Sequence, residues 1–280
     1  MRVKKYSGEL VPFNGNSLRH SLARSGATAE EVELVYDNIQ DRLYDGISTR
    51  ELYELAFACL RQHRDSYAAR YSLKKALREL GPEGFYFERW IAKLFADEGY
   101  ETSTGQTVQG HAVTHEIDVV AAKAGEMLAI ECKFRNDVDA KISVTTPMYF
   151  MSRVKDVCGL PFSFFNGQRH FTDGWLVTNA YFTSDSKRFG EFYKLNLLAW
   201  DYPAETCLKL RVDDTGLYPV TCLTTLDKTE KAVLLKHECI LVRDLLDMPA
   251  FLEHLQLPPA KADRVLREAR ELIYSLLKNE

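Results

Sequence analysis

Residues Glu116–Phe134 read EIDVVAAKAGEMLAIECKF. Two apolar runs flank a turn-forming Lys123-Ala124-Gly125-Glu126, a pattern that predicts a β-hairpin. The second run carries Glu131 and Lys133 amid Leu128, Ala129, Ile130, Cys132 and Phe134. A carboxylate and an ammonium in a core strand are costly unless each finds a partner. Strand side chains alternate faces, so Glu131 and Lys133 share a side with Met127 and Ala129. Leu128, Ile130, Cys132 and Phe134 take the other side. Pairing of the two strands brings Asp118, early in the first run, toward Glu131. Two carboxylates at a strand mouth make an oxygen-rich site for a hard divalent cation such as Mg2+ or Mn2+. A neighbouring lysine there orients water or meets developing negative charge. An isolated E-x-K is in most chains a solvated edge-strand ion pair. The apolar strand, the hairpin and the acid on the partner strand set this one apart from that background.

The rest of the chain is long enough to surround such a site with a core: 280 residues, 46% of them hydrophobic. A net charge of -4 does not mark a nucleic-acid binder, and it does not exclude a local basic groove. The six cysteines, Cys59, Cys132, Cys158, Cys207, Cys222 and Cys239, form no C-x-x-C pair. That argues against a zinc site or a disulfide framework and for reduced thiols. The start, MRVKKYSGELVPF, lacks the apolar segment of a signal peptide, and no run is apolar enough to span a bilayer. A cytoplasmic protein without a membrane partner is the expectation.

Three blocks divide the sequence. Residues 1–81 open with two short strands around Ser7-Gly8, followed by helical patterns at Leu18–Ala23, Glu31–Leu43, the STRELYELAFACLRQH stretch capped at Ser48 or Thr49, and Ser66–Leu80. Gly81, Pro82 and Gly84 then break the pattern. Residues 84–203 open with the amphipathic helix FYFERWIAKLFADEGY. The hairpin, a helix from PMYFMSRVKDVCGL, a strand GWLVTN, a helix SDSKRFGEFYKL and a strand NLLAWDYP follow, with a first strand near Tyr100–Val108. Residues 204–280 end in short helical segments, the last being PAKADRVLREARELIYSLL. The fold class expected is α/β (α+β): a mixed β-sheet core flanked by helices, preceded by a mostly helical domain and followed by a small helical module.

The middle block resembles the PD-(D/E)xK nucleases, in particular the Mrr-like restriction endonucleases. EIDVV…AIECKF matches their D…(E/Q)-x-K core, GFYFERWIAKLFADEGYE their G-x-x-F-E…GY helix, and GWLVTNAYFTSDSKRFGEFYKLNLLAWDYP their later strand–helix–strand. Asp118 follows Glu116-Ile117, so the proline of the family name is not present. The resemblance implies a restriction-endonuclease-like sheet, Asp118 and Glu131 as ligands of Mg2+ or Mn2+, Lys133 as the catalytic lysine and Glu88 as a supporting acid. Beside these, Glu116 reads either as an assistant to the metal or as a solvated strand end, and His115 as a loop residue. Thr178 and Asn179 read as strand-end caps or as hydrogen-bonding groups near the site.

The first block resembles an ATP-cone through VKKYSGELVPFN, YDGISTRELYEL and YAARYSLKKAL. That resemblance implies a site for ATP or dATP formed by Val3, Lys5, Gly8, Asn14, Leu18 and Thr49, with Lys5 meeting phosphates. The family's Lys-Arg pair reads Lys5-Tyr6 here, and a later basic position reads Ser17. A degenerate cone used for dimerisation or docking is the alternative. The third block resembles helix-hairpin-helix-like modules, with Lys236-His237-Glu238 where the hairpin glycine belongs; a DNA clamp and a structural or dimerising bundle both fit it. Together the resemblances imply a metal-dependent DNA endonuclease with an adenine-nucleotide-sensing domain, in restriction, defence or DNA repair. Cutting both strands of a duplex favours a homodimer or higher homo-oligomer. The competing expectation is a non-catalytic nucleic-acid-binding or nucleotide-sensing regulator on a nuclease fold.

Overall fold

The computed structural model describes residues 1–81 and 84–274. Pro82 of the expected break and Ser275–Leu277 of the expected last helix lie outside the described residues. The chain divides into two compact units. One joins Met1–Ala76 to Tyr218–Glu280; the other is Leu77–Leu217.

The first unit begins with β1 (Arg2–Lys4) and β2 (Leu10–Pro12), paired antiparallel. Helices α1 (Gly15–Ala23) and α2 (Ala29–Gln40) follow, then β3 (Ile47–Ser48), α3 (Thr49–His63), α4 (Asp65–Tyr71) and α5 (Leu73–Arg78). The N-termini of α1, α2 and α3 are capped by side chains, at Ser48 as the sequence suggests. Asn14 Oδ1 accepts from the Ser17 N–H at 3.1 Å, and Thr28/Glu31 and Ser48/Glu51 form reciprocal capping boxes. Leu22, Val35, Ile39, Ala56 and Leu60 fill the core between these helices.

Two features depart from the sequence reading. The two-residue β3 pairs parallel with β1 and completes a three-stranded sheet in the order β2-β1-β3. The expected helix over Ser66–Leu80 is broken into α4 and α5. At the break the Ser72 hydroxyl donates to the Ala69 carbonyl at 2.9 Å, a local bond that competes with helix continuation.

The second unit runs α6 (Phe85–Asp97), β4 (Glu101–Gln109), β5 (Thr114–Lys123), β6 (Glu126–Lys133), β7 (Lys141–Ile142), α7 (Thr145–Val157), β8 (Phe162–Phe164), β9 (Gly167–Arg169), β10 (Asp173–Thr178), β11 (Tyr181–Phe182), α8 (Ser184–Tyr193), β12 (Asn196–Leu198) and α9 (Leu208–Thr215). Its five-stranded mixed sheet has the order β12-β10-β6-β5-β4. β10 runs parallel to both β6 and β12, and β5 runs antiparallel to β6 and β4. The fold is mixed α/β, as the alternation of patterns predicts. The β5–β6 hairpin closes through Ala124 and Gly125, both at positive φ (47° and 92°), the two-residue turn that suits strand twist. The small β7/β11 pair and the β8–β9 hairpin are too short for a periodicity argument to reveal.

Helices cover both faces of this sheet. On one face the ring of Phe95 in α6 meets Trp175 of β10 edge-on at 5.4 Å, and Phe87 of α6 packs by Phe134. On the other, α7 lies so close to β10 that Gly174 is the contact point. A Cβ there would stand 2.5 Å from Val154 Cγ2 and 3.3 Å from Phe150 Cε1.

The chain then returns to the first unit through α10 (Lys228–Lys236), α11 (Val242–Asp247) and α12 (Pro259–Tyr274), with short 3-10 turns at Val220–Cys222 and Pro249–Leu255. α12 packs on α4 through polar anchors. Arg264 grips Asp65 with two bonds of 2.9 and 3.0 Å, and Arg70 Nη2 donates to the Leu272 carbonyl at 2.9 Å. Glu268, buried within α12, accepts from the N–H and hydroxyl of both Thr224 and Thr225. No helix among the described residues is long and apolar enough to cross a membrane.

Gly174→Ala is expected to overpack the α7–β10 contact and to destabilise the second unit by about 1–3 kcal/mol. Urea denaturation followed by tryptophan fluorescence measures it, with Trp175 one residue away as the reporter.

Candidate active site

The site forms where β5 and β6 part. Their ladder pairs Lys123 with Glu126 and continues, position by position, to Val119 and Ile130. The next step would set Asp118 opposite Glu131. There the backbone pairing stops. The N–H of Cys132, which a continued ladder would satisfy, is instead taken by Asp118 Oδ2 at 2.7 Å. The carboxylate thus repairs the donor left open by the splayed strands. Only Oδ2 is engaged in this way among the described residues.

Glu131 is buried, at 3% exposure, where a lone carboxylate would be strongly disfavoured. Two cations hold it. Lys133 Nζ donates to Oε1, and Arg153 Nη1, from α7, donates to Oε2. Arg153 Nη1 also donates to the Glu116 carbonyl at 3.0 Å. The parallel register of β6 with β10 places Glu131 beside Leu176 and Ala129 beside Gly174. Gly174 meets α7, so this face of β6 meets it too, which explains how Arg153 reaches Glu131. The shared face of Glu131 and Lys133 follows the alternation read from sequence.

Asp118 and Glu88 hold their protons unusually well. Burial and the Glu131 charge push the Asp118 carboxyl up to about 6, against the opposing pull of the Cys132 N–H, Lys133 and Arg153. Burial, then the charges of Asp118, Glu116 and Glu131, push Glu88 up to about 7, with Lys133 opposing. Burial also raises the Cys132 thiol, next to the same acids, well above its ordinary value. Glu88 of the sequence motif therefore stands in the same electrostatic environment as Asp118 and Glu131, carried there by the first turn of α6.

The strand end is fixed by side chains. Thr178 Oγ1 donates to the Lys133 carbonyl at 2.6 Å. Asn179 brackets Arg135, accepting from its N–H and donating to its carbonyl, both at 2.8 Å. Both residues are buried and hold the backbone that carries Lys133. His115 is not in a loop: it lies on β5, where Asp156 of α7 pairs with its Nε2 at 2.7 Å. Asp156 also accepts from the N–H groups of Ala112 and Val113, so it anchors the β4–β5 turn. Glu116 is exposed; its carbonyl accepts from Arg153, and its carboxylate reaches Glu88 through charge alone.

Among the described residues no three or more His, Cys, Asp or Glu side chains gather as a metal cage. The donor set is two carboxylates facing across a split ladder with a third acid nearby. That suits Mg2+, which keeps most of its water and binds through one or two carboxylates plus a substrate phosphate.

The first unit holds a separate cavity of about 270 Å3. Val3, Asn14, Leu18 and Thr49, four of the six residues matched to nucleotide binding, line it together with Ser17, Ser21, Tyr53 and Tyr71. Tyr53 and Tyr71 stack at 5.2 Å. Lys5 and Gly8 are not in its lining; they form the β1–β2 turn, where Lys5 Nζ pairs with Glu9 at 3.4 Å. Among the described residues no Lys or Arg lines the cavity. Asn14 serves as the cap of α1 as well as a wall.

Comparison with known proteins follows the same division. A family model described as ATP cone domain matches residues 1–80, one described as Restriction endonuclease matches 80–204, and one described as AF1548-like, C-terminal, matches 218–273. An uncharacterized protein of Archaeoglobus fulgidus is 32% identical over 185 residues, 65% of this chain and 99% of that protein. The chain belongs to the Mrr-like restriction endonuclease family. It carries an ATP cone at its start and an AF1548-like part toward its end. The crystal structure of the protein of unknown function AF1548 matches at 31% identity with a TM-score of 0.55, covering 68% of this chain and 97% of that one.

The sequence singles out Asp118, Glu131, Lys133 and Glu88, and the structure brings these four within electrostatic reach of one another. Sequence reasoning missed Arg153. A signal was present: Phe150, Val154 and Val157 mark the buried side of α7, and Arg153 is a cation beside them. It also missed Ser21, Tyr53 and Tyr71, which reach the cavity from three different helices or their ends.

The raised carboxyl of Asp118 carries a sign that can be measured. The folded chain holds this proton more tightly than the unfolded one, so the metal-free protein loses stability as pH rises from about 4 through 6. In EDTA at about pH 8, Asp118→Asn, which keeps an acceptor for Cys132, is expected to raise Tm by about 2–4 °C. The gain should shrink as pH falls toward about 4. Calorimetric scans across this range check both statements.

Proposed function

We propose that this chain is a divalent-metal-dependent endonuclease that hydrolyses phosphodiester bonds in DNA, and that its cone binds an adenine nucleotide that regulates it. The reading is carried by one observation: Asp118 and Glu131 face each other where the β5–β6 ladder splits, with Lys133 on Glu131. Membership of the restriction endonuclease family supports it.

In this reading Asp118 and Glu131 hold Mg2+, or Mn2+ in its place. The ion, when bound, activates water and neutralises charge on the phosphate. The chain's own groups do the rest. Lys133, one strand position past Cys132, orients the attacking water and meets negative charge on the phosphate as the new P–O bond forms. The P–O bond to the leaving oxygen breaks, the attacking water gives up a proton to solvent, and the leaving oxygen takes one up from solvent. Glu88, whose carboxyl titrates at about 7, supports Asp118 by holding a proton near neutral pH, which lowers the repulsion among the acids. Asn179 and Thr178 keep Lys133 in place through its neighbouring backbone.

In the cone, hydroxyl and aromatic groups of the cavity receive the nucleoside, and Lys5 of the β1–β2 turn is the cation that the ATP-cone resemblance assigns to its phosphates. The regulatory alternative, a nuclease fold without chemistry, predicts no cleavage under any metal.

Purified protein incubated with plasmid and Mg2+ is expected to nick or linearise it. Lys133→Ala should reduce the rate by at least about 100-fold, measured at a temperature where both proteins remain folded. Equal cutting by wild type and Lys133→Ala removes the site assignment, as gel assay shows directly. In a separate measurement, calorimetric ATP or dATP binding is expected to weaken by about tenfold or more in Ser21→Trp, which fills the cavity from its exposed side. Unchanged affinity places the nucleotide elsewhere.

A further inference from the structure

The Glu131 carboxylate has both oxygens occupied by side chains of this chain, although only one partner, Lys133, belongs to the strand motif. The other, Arg153, arrives from α7. Its hold is incomplete. Both of its described hydrogen bonds leave from Nη1, one to Glu131 and one to the Glu116 carbonyl. Its Nε is buried and has no hydrogen-bond partner among the described residues. A structural arginine in a buried pair is normally satisfied through several nitrogens in a fork. Arg153 is instead fixed to Glu131 mainly by charge, with one nitrogen in contact. Its side chain is 15% exposed, and the Tyr149 ring lies 5.4 Å from its guanidinium, so it has a place to move toward the surface.

Resting on the nuclease reading above, we propose that Arg153 is the resident counter-cation of Glu131, a positioning residue that a divalent ion must displace, and that it thereby sets the metal affinity of the site. With no metal bound, three acids, Glu88, Asp118 and Glu131, share a partly buried volume. A guanidinium on Oε2 gives Glu131 a counter-charge and orients it. A divalent ion bridging Asp118 and Glu131 needs an oxygen of Glu131 and repels the guanidinium at short range. Metal entry and Arg153 release are then one exchange: the ion–carboxylate contact forms as the Arg153–Glu131 contact breaks, with no change in covalent bonding. Lys133 keeps Oε1, so the catalytic lysine is not disturbed by the exchange.

Mn2+ alone, added to the full chain without DNA, is the probe, and binding is read by the electron paramagnetic resonance signal of free Mn2+. Arg153→Gln is expected to bind Mn2+ about tenfold tighter than wild type, because the competing charge is gone. Arg153→Lys, which keeps the charge, should stay within about threefold of wild type. A purely structural arginine predicts the reverse, since its loss would loosen Glu131 and weaken binding. Equal or weaker binding by Arg153→Gln, with wild type binding through Asp118, overturns the inference and leaves the nuclease reading standing. No binding by wild type, by Arg153→Gln or by Arg153→Lys removes both.

A measurement on the wild-type chain holds even where Arg153→Gln does not fold. The side-chain Nε–H resonance of Arg153, assigned by its loss in Arg153→Lys, is expected to shift during an Mg2+ titration. A resonance unmoved at Mg2+ concentrations that saturate the Asp118-dependent site overturns the displacement.

Discussion

The bond from the Cys132 N–H to Asp118 is the point at which two paired strands become a site. Up to Val119 and Ile130 the β5–β6 ladder satisfies its own backbone. Beyond it, the strands separate, and a buried donor would be left unsatisfied at a cost of roughly 1–3 kcal/mol. The Asp118 carboxylate fills that role at 2.7 Å. One residue therefore both ends the ladder and presents an acid to the gap the ending creates. Glu131 stands across that gap because the antiparallel register puts it there, one step past Ile130. The rest of the second unit serves this arrangement: α6 brings Glu88, α7 brings Arg153, and β10 fixes the backbone after Lys133.

The charges in the gap explain why so many elements converge on it. Glu131 alone, at 3% exposure, would be too costly to ionise, and two carboxylates facing each other would repel. Lys133 and Arg153 offset that cost for Glu131, while Asp118 and Glu88 answer by holding protons to about 6 and 7. The site is thus strained electrostatically, not sterically. Strain of this kind is relieved by adding positive charge.

The sequence made the motif strand legible because period-2 alternation assigns faces without knowledge of the fold. Glu131 and Lys133 share a face for that reason alone, and their contact bears it out. Helices with strong caps, such as α3 after Ser48, were equally readable. What could not be read depends on contacts between elements far apart in the chain. Arg153 looks like an ordinary cation on an amphipathic helix until β10 and β6 are placed under α7. The Ser72 break is a choice between a hydroxyl bond and a continued helix, and local propensity does not decide it. His115 has no local pattern at all, since its partner Asp156 is 41 residues away.

The same limit governs the two ends of the chain. By composition, residues 1–81 and the C-terminal helices read as separate blocks. In the structure they share one compact unit, and polar groups more than 190 residues apart join them. Arg70, buried in α4, donates to the carbonyls of Glu271 and Leu272, in the last described turn of α12. Those carbonyls lie toward the negative end of the α12 dipole, where a guanidinium is favoured. Gly26 leaves the space that the Arg70 side chain crosses, since a Cβ there would collide with its guanidinium. The next residue along α4, Tyr71, lines the cavity of the first unit and stacks on Tyr53. The wall of the cavity and the anchor of the C-terminal helix are therefore consecutive residues of one short helix. A cone cut away from residues 218–280 would lose these anchors of α4, one residue from the cavity wall.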